Sequence, residues 1–433
     1  MAAQSKQPAA LTSPGYLVPF IIVTALFFIF GFITNLNMGL VPHLKKIFEI
    51  QKLPVWEAML AEGAFFTAYL VFSAPTSKLI EAIGYKRTMV VSLFVQVVGA
   101  LLFLPAAFFV SFPLFLTAIF VVGAGVAALQ TSANPYISIL GPEHSAPVRL
   151  NLAQAFNSIG GSIAPWVAGT FILTASVLSP AQIAAKSTAE QHAYQMGIAD
   201  TVRIPYLVIA LGLVILGIAV AFMRLPHITV TQSFRPGKEG DDLLSRSIWS
   251  FRHTVLATVG IFLYVGVEVG LASIAVNYFK SQGMSSLSTA SFLVSLYWLG
   301  AMVGRLLGSW ILTRVASGKL LGIFGFAAAA LITLSMFTSG QVAIWTLVLC
   351  GFFNSIMFPN IFTLGIAGLG PMTSKGSGMI MTACVGGAVV PYLIGALADR
   401  VGIQNAFILP VICYLYIAYY GLWGSKPVRR ITA

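Results

Sequence analysis

Long apolar runs dominate this sequence and restrict the folds that it can adopt. Among its 433 residues, 58% are hydrophobic and only 8% are charged. A water-soluble protein of this composition would lack the charged surface that keeps it in solution. Runs of roughly 20 apolar residues instead cross a bilayer as helices. The sequence therefore predicts an all-α membrane protein.

Twelve of these runs are long enough to span the bilayer, and they form two groups of six. We assign residues 16–223 to an N-terminal six-helix bundle and 254–424 to a C-terminal one. A polar linker, 224–253, joins the bundles, and the tails 1–15 and 425–433 flank them. A longer polar loop is expected at 177–202, before the end of the sixth span near Met223. The other predicted spans are Tyr16–Val41, Glu57–Leu79, Met89–Val110, Pro113–Leu140, Leu150–Leu173, 254–279, 288–312, 319–337, 342–366, 377–397 and 404–423.

Basic residues are distributed unevenly about these spans. Roughly 16 of the 24 Lys and Arg fall on the side that carries both tails, against about 7 on the other. Positive charge accumulates on the cytoplasmic side of membrane proteins, so both termini are expected there. The net charge of +12 is accounted for in this way, and no nucleic-acid partner is expected.

The two bundles share short motifs in the same order. Pro135–Gly141 and 359–365 both read P-x-I-x-x-L-G, and 160–165 and 386–391 both read G-G-x-x-x-P. These matches indicate duplication of a six-span unit. Secondary transporters are built from such repeats, with the solute site between the halves near the middle of the bilayer.

Carboxamide side chains recur at helical spacing in the N-terminal bundle. Gln130 and Asn134 lie one turn apart, and Asn151, Gln154 and Asn157 follow at intervals of three residues. Amides are costly in hydrocarbon unless they are partnered, which favours a cavity that admits a polar solute. Because amides donate and accept hydrogen bonds without charge, they suit a neutral, hydroxyl-rich solute. Hydrogen bonds between helices are the structural alternative.

The remaining candidates for the site lie in other spans. Asn35 adds an amide from the first span, and the C-terminal bundle offers Glu268, Trp298 and Asn360. Glu268 has no basic neighbour in its span, and a carboxylate at membrane depth is by default a functional candidate. We assign it to solute binding or to H⁺ or Na⁺ binding, with a structural acid held by amides as the alternative. Trp298 could stack on the apolar face of a sugar ring, with an anchor at the membrane interface as the alternative.

Four more charged residues receive weaker assignments. Glu62 is a second coupling candidate, with an interfacial, snorkelling carboxylate as the alternative. Arg305, Lys86 and Arg87 are assigned a gate or structural role. A direct pair between Arg305 and Glu268 is not expected, because they lie toward different depths of the bilayer.

Enzyme signatures are missing from the sequence. It contains neither a Walker A motif nor G-x-S-x-G or H-E-x-x-H, and its three cysteines lie within apolar spans. We therefore expect neither catalysis nor a metal site.

With these residues in view, nearly the whole chain resembles the fucose–proton symporter family of the major facilitator superfamily, and within it the bacterial glucose/galactose (hexose) permeases. The resemblance implies two six-helix bundles, alternating access and monosaccharide import, with Gln154 and Asn157 in contact with sugar. It is carried by Asn35-Leu-Asn37 with Pro42-His43-Leu44-Lys45, Gln130-Thr-Ser-Ala-Asn134-Pro135, Arg149-Leu-Asn151-Leu-Ala-Gln154-Ala-Phe-Asn157-Ser158, Tyr264-Val-Gly-Val-Glu268, Tyr297-Trp298 with Gly304-Arg305, and Phe358-Pro359-Asn360-Ile361-Phe362.

The resemblance fails at the coupling residues. The fucose permeases use two carboxylates for proton coupling, in the first and fourth helices. The matching positions here are Met38 and Gln130, and neither side chain titrates. The proton mechanism of that family is therefore not carried over, and Glu268 is left as the first candidate.

We expect a secondary transporter that imports a hexose such as glucose or galactose, or an N-acetylated hexose, coupled to H⁺ or Na⁺ and without another cofactor. An uncoupled sugar uniporter, an exporter of amphipathic compounds and a sugar sensor without transport remain as alternatives. The expected setting is the cell (inner) membrane, with sugar and lipid as partners and a monomer as the working unit.

Overall fold

The computed structural model of the chain describes residues 11–12, 15–49, 55–171, 182, 185–200, 203–223, 225, 246–283 and 286–427. Within these ranges the regular structure is helical. The helices are α1 (Leu17–Glu49), α2 (Val55–Phe108), α3 (Phe112–Ile139), α4 (Ala146–Phe171), α5 (Thr188–Asp200), α6 (Arg203–Phe222), α7 (Arg252–Ser281), α8 (Leu287–Ile311), α9 (Ser317–Phe337), α10 (Gly340–Asn354), α11 (Met357–Ile366), α12 (Thr373–Thr382), α13 (Gly386–Val401), α14 (Ile403–Ala406) and α15 (Ile408–Tyr419).

These helices account for twelve passes across a bilayer. Ten described segments are long and apolar enough to cross it. One of them, Gly63–Phe108, has 46 residues, more than twice the length that a single crossing of roughly 20 residues needs. Counting this segment twice and adding the membrane-length helix α4 gives the twelve passes that the apolar runs predict.

The chain reverses within α2 at a single residue. Gly84 has φ 81° and ψ 165°, in the left-handed half of conformational space that favours glycine. On α3, Gly123 lies against Phe65, and Gly125 lies against Ser92. Because the two glycines are close in α3, the residues on either side of Gly84 form two arms that lie side by side. Between the predicted spans Glu57–Leu79 and Met89–Val110, Gly84 is thus the one residue with non-helical backbone angles.

The predicted polar loop at 177–202 is partly wrong, because it contains the helix α5. Ser187 Oγ donates to Glu190 Oε2 at 2.7 Å, and the Ser187 backbone N–H donates to the same oxygen at 2.9 Å. Together with the Glu190 N–H, which donates to Ser187 Oγ, they form a capping box that starts the helix. The hydrogen bonds from Ser187 hold the pKa of the Glu190 carboxyl below its usual value. The sequence Ser-Thr-Ala-Glu carried this signal.

Equivalent helices pack alike in the two parts of the chain. A Cβ added to Gly160 of α4 would collide with the carbonyl oxygen of Phe28 in α1, and one added to Gly386 of α13 would collide with that of Phe262 in α7. Each glycine is the first of the repeated G-G-x-x-x-P motif, so it allows the same close approach in both parts. We call residues up to 222 the N-half and those from 252 the C-half. The predicted bundle bounds stay a prediction, because linker residues 226–245 lie outside the described ranges.

The repeated proline opens a hydrogen-bonding position in the N-half. Pro135 lies within α3 and has no N–H to donate to the carbonyl of Thr131, four residues earlier. Ser377 Oγ of α12, in the C-half, donates to that carbonyl oxygen at 2.8 Å. The proline thereby creates an attachment point between the halves.

The halves also meet at one face of the bundle. We call it the inner face and define it as the side where α1 begins and Gly84 lies. There Ser374 Oγ donates to Glu81 Oε1 at 3.0 Å, and the Gly368 N–H donates to Glu143 Oε1 at 2.9 Å. Both bonds join a carboxylate of the N-half to the C-half. The inner face is therefore closed.

Candidate functional site

Two glutamines of the N-half carry free carboxamides at membrane depth. Gln130 of α3 is half-buried, and Gln154 of α4 is 7% exposed. Neither side chain makes a hydrogen bond to any part of the chain that the structure describes. An amide that is withdrawn from water without a partner costs free energy, so these groups are available to a solute or to ordered water.

Two asparagines beside them are held by backbone groups. Asn157 Nδ2 donates to the Phe27 carbonyl at 3.2 Å, and Asn35 Nδ2 donates to that of Gly31 at 2.9 Å. A Cβ on Gly161 would lie only 2.6 Å from Asn35 Nδ2, so this glycine makes room for the amide between α1 and α4. Both side-chain oxygens accept no hydrogen bond from the described residues. The two asparagines can thus present fixed acceptors.

The C-half has a polar cluster where one membrane pass is broken. α10 ends at Asn354, and α11 contains Pro359. Because Pro359 has no N–H, the Ser355 carbonyl lacks its usual helical donor. Arg305 Nε supplies one at 3.1 Å, and Tyr264 Oη lies 3.1 Å from the Asn354 carbonyl oxygen. The broken helix is thus stabilised by side chains from α7 and α8.

Glu268 belongs to this cluster. Tyr264 Oη donates to its Oε1 at 2.7 Å, and Arg305 Nη2 lies 3.8 Å from the same oxygen. The expectation that Arg305 and Glu268 would not pair is therefore wrong. Side chains lean toward the N-terminus of their helix. Since α7 and α8 run in opposite directions, the side chains of Glu268 and Arg305 lean toward each other. The positions of their Cα atoms along the bilayer normal do not show this.

Arg305 also reaches across to the N-half. Its Nη1 donates to Ser158 Oγ of α4, the residue that follows Asn157. Trp298 is seven residues before Arg305, on the same face of α8 and nearer the outer face, and its side chain is 41% exposed. Because this face meets the N-half at Arg305, the exposure of Trp298 indicates that the halves separate beyond that level.

Three asparagines lie inside the closed contact between the halves, and each is fully buried. Asn151 Nδ2 donates to Asn360 Oδ1 at 2.8 Å and to the Pro147 carbonyl at 2.8 Å. Among the described residues, Asn134 Nδ2 contacts only the sulfur of Met381, at 3.6 Å. Asn134 Oδ1, Asn151 Oδ1 and Asn360 Nδ2 have no partner among the described residues. Each such group costs about 1–3 kcal/mol.

The structure separates the other predicted residues from this region. Lys86 Nζ donates to the Ala221 carbonyl at 2.7 Å, which ties the second arm of α2 to the last turn of α6. Arg87 is exposed near Gly84, at the inner face. The side chain of Glu62 lies outside the described part of the chain, so its assignment stays a prediction.

The sequence does not predict the contacts that Ser158, Asn354 and Ser377 make. A signal existed for the bonds to Thr131 and Ser355, because a proline inside a helix leaves open the carbonyl four residues before it. The identity of the donor comes from another helix, so no local pattern predicts it.

We expect Arg305→Leu to lower the free energy of unfolding by about 3–5 kcal/mol. The variant leaves Glu268 without its cation and the Ser355 carbonyl without its donor. Thermal unfolding of the purified protein in detergent measures the loss. The double variant Arg305→Leu/Glu268→Leu should regain part of it, since no carboxylate is then stranded, whereas the Ser355 carbonyl still lacks its donor. An equal loss in both variants would show that the ion pair contributes nothing.

Comparisons with known proteins agree on one family. The sequence model described as Major Facilitator Superfamily matches residues 22–383. The glucose/galactose transporter of Brucella abortus is 44% identical over 407 residues, which cover 93% of each chain. The L-fucose-proton symporter of Escherichia coli is 32% identical over 96% of this chain and 94% of its own. The crystal structure of the latter, FucP, in the outward conformation, superposes with a TM-score of 0.86 at 31% identity, over 95% of this chain and 99% of that one.

Proposed function

The chain belongs to the Major Facilitator Superfamily, and from this membership we propose that it carries a neutral hexose across the membrane by alternating access. One observation carries the choice of solute: the free carboxamides of Gln130 and Gln154 at membrane depth. Uncharged groups that both donate and accept match sugar hydroxyls and offer an ion no counter-charge. The glucose/galactose transporters and fucose symporters among its relatives support this class of solute.

Gln130, Gln154, Asn157 and Asn35 form the sugar-binding face of the N-half in this proposal. Trp298 faces them from the C-half and offers an apolar ring surface for the sugar. The closed inner face and the exposed Trp298 support a site that is open toward the outer face. One chain is the proposed working unit, because it supplies every one of these groups.

Energy coupling is assigned to Glu268. It is a carboxylate between a tyrosine hydroxyl and Arg305, and Arg305 in turn touches Ser158 on the sugar-binding helix α4. A cation that changes the charge of Glu268 would change how strongly Arg305 is held, and with it the contact between the halves. The E. coli relative is a proton symporter, which favours H⁺ over Na⁺.

The inner face is assigned to the cytoplasm, since most of the Lys and Arg lie on that side. Both termini then lie in the cytoplasm, and the chain resides in the cell (inner) membrane, where the sugar enters from outside.

Uptake of labelled glucose and galactose into proteoliposomes tests the proposal. We expect accumulation above the external concentration under an imposed pH gradient, and no accumulation under a Na⁺ gradient at equal pH. Equilibration without accumulation under either gradient would identify a uniporter. Hexose binding to the purified protein without flux into sealed vesicles would identify a sensor. Absence of both binding and flux would overturn the assignment to sugars.

A further inference from the structure

The three fully buried asparagines extend the sugar-binding face toward the inner side. On α3, Asn134 lies four residues beyond Gln130, and on α4, Asn151 lies three residues before Gln154. Each of the two glutamines therefore has a fully buried asparagine one turn closer to the inner face, a step of about 5 Å. Asn360 faces Asn151 from the C-half. Together they make a second level of amides beneath the first.

The closed contact does not explain why these side chains are amides. It leaves one polar atom of each asparagine without a hydrogen bond among the described residues, although all three are fully buried. A leucine of similar size would fill the same space and leave no such group. The amides are therefore suited to a state in which the halves have separated and these atoms meet water or solute.

We propose that Asn134, Asn151 and Asn360 form a second hexose-binding site, an exit site, that is assembled when the inner face opens. The inference rests on the proposed function, since the occupant is the sugar that leaves Gln130 and Gln154. Asn134 Oδ1 and Asn151 Oδ1 accept from sugar hydroxyls, and Asn360 Nδ2 donates to one. Asn360 moves away with the C-half, so sugar or water replaces it as the partner of Asn151.

The exit site explains the two sets of amides without assigning them the same role. In the closed-inside state described, Gln130 is half-buried and Gln154 is 7% exposed, whereas the three asparagines have no exposed surface. A sugar would move one helical turn along α3 and α4 between the two sets. The hydroxyls of the sugar then have hydrogen-bonding partners both when the inner face is closed and when it is open.

The test measures sugar affinity separately from the two sides of the membrane. Right-side-out and inside-out vesicles are prepared from cells that express the wild type, Asn151→Leu or Asn360→Leu, and the half-saturating galactose concentration is determined for flux from each side. We expect each variant to raise the half-saturating concentration on the inner side about tenfold, the effect of one lost hydrogen bond of typical strength. The value on the outer side should stay within about twofold, because the outer site is intact.

Ser377→Ala is the matched control. It removes a hydrogen bond across the same closed contact, between Ser377 and the Thr131 carbonyl, without removing an amide. We expect it to leave the inner half-saturating concentration unchanged. An equal rise in Ser377→Ala and in the asparagine variants would show that the asparagines only latch the halves, and the exit site would be rejected.

Two further outcomes are distinguishable. Unchanged inner affinity in Asn151→Leu and Asn360→Leu, with normal transport by the wild type, overturns the exit site and leaves the proposed function intact. No hexose flux in the wild type overturns the proposed function itself. If both leucine variants fail to reach the membrane, Asn134→Leu provides the same measurement from α3.

Discussion

Replacing Gln154 by leucine should raise the Kd for glucose or galactose about 100-fold, through the loss of two hydrogen bonds that each contribute about 1.4 kcal/mol. The expectation is large because Gln154 makes no hydrogen bond to the described protein, so its amide is free to be used by the sugar. Leucine has a similar size and fills the position in the helix, so folding should be preserved. Equilibrium binding of labelled hexose to the purified protein measures the change.

Gln96→Leu is the matched control for this prediction. Gln96 is 1% exposed in the second arm of α2, and its amide donates weakly to the Ser92 carbonyl at 3.4 Å. The chemical change and the burial are the same, but the residue packs within the N-half against Gly125. Hexose affinity should stay within about twofold of the wild type. A comparable loss in both variants would mean that helix packing, not sugar contact, sets the affinity.

The sequence predicted the membrane helices and the amide face because both depend on local periodicity. The apolar runs set the number of passes, and the three-residue spacing of Gln154 and Asn157 requires a common face. The hydropathy pattern predicts that the chain leaves the bilayer between Leu79 and Met89, but it does not predict a reversal at Gly84, because hydropathy does not report φ. The sequence analysis does not predict the helix α5, because the polar composition of 177–202 is typical of a loop, although the segment contains a capping box.

The sequence does not predict the ion pair between Arg305 and Glu268. Whether Arg305 meets Glu268 depends on the opposed directions of α7 and α8, and on a carbonyl that Pro359 leaves open two helices away. The difference in exposure between the two glutamines and the three fully buried asparagines depends on which state the halves adopt. A periodic pattern gives the face on which Asn151 and Gln154 lie, but the same pattern holds in every state of the cycle.

The N-half and the C-half contribute different chemistry to the proposed cycle. The N-half supplies neutral amides, which bind a sugar without responding to an ion. In the C-half, Glu268 is the group proposed to bind the cation, and its partner Arg305 touches the N-half at Ser158. We propose that coupling between solute and ion passes through this contact, because Arg305 touches both Glu268 and the residue that follows Asn157.

Glu268→Gln is expected to abolish accumulation of hexose while leaving exchange of internal for external hexose intact. Glutamine keeps the shape of the side chain and can still accept from Tyr264 and Arg305, but it carries no charge and binds no proton in the accessible pH range. In proteoliposomes with a gradient of about one pH unit, one-to-one coupling supports about tenfold accumulation, since a tenfold ratio corresponds to about 1.4 kcal/mol. The variant should reach a ratio of about one under the same gradient, and its exchange rate should lose its dependence on pH.

Glu190→Gln, which neutralises the exposed carboxylate of the α5 capping box, should accumulate hexose like the wild type. Accumulation by Glu268→Gln at the level of the wild type would remove this residue from coupling and would direct attention to Glu62.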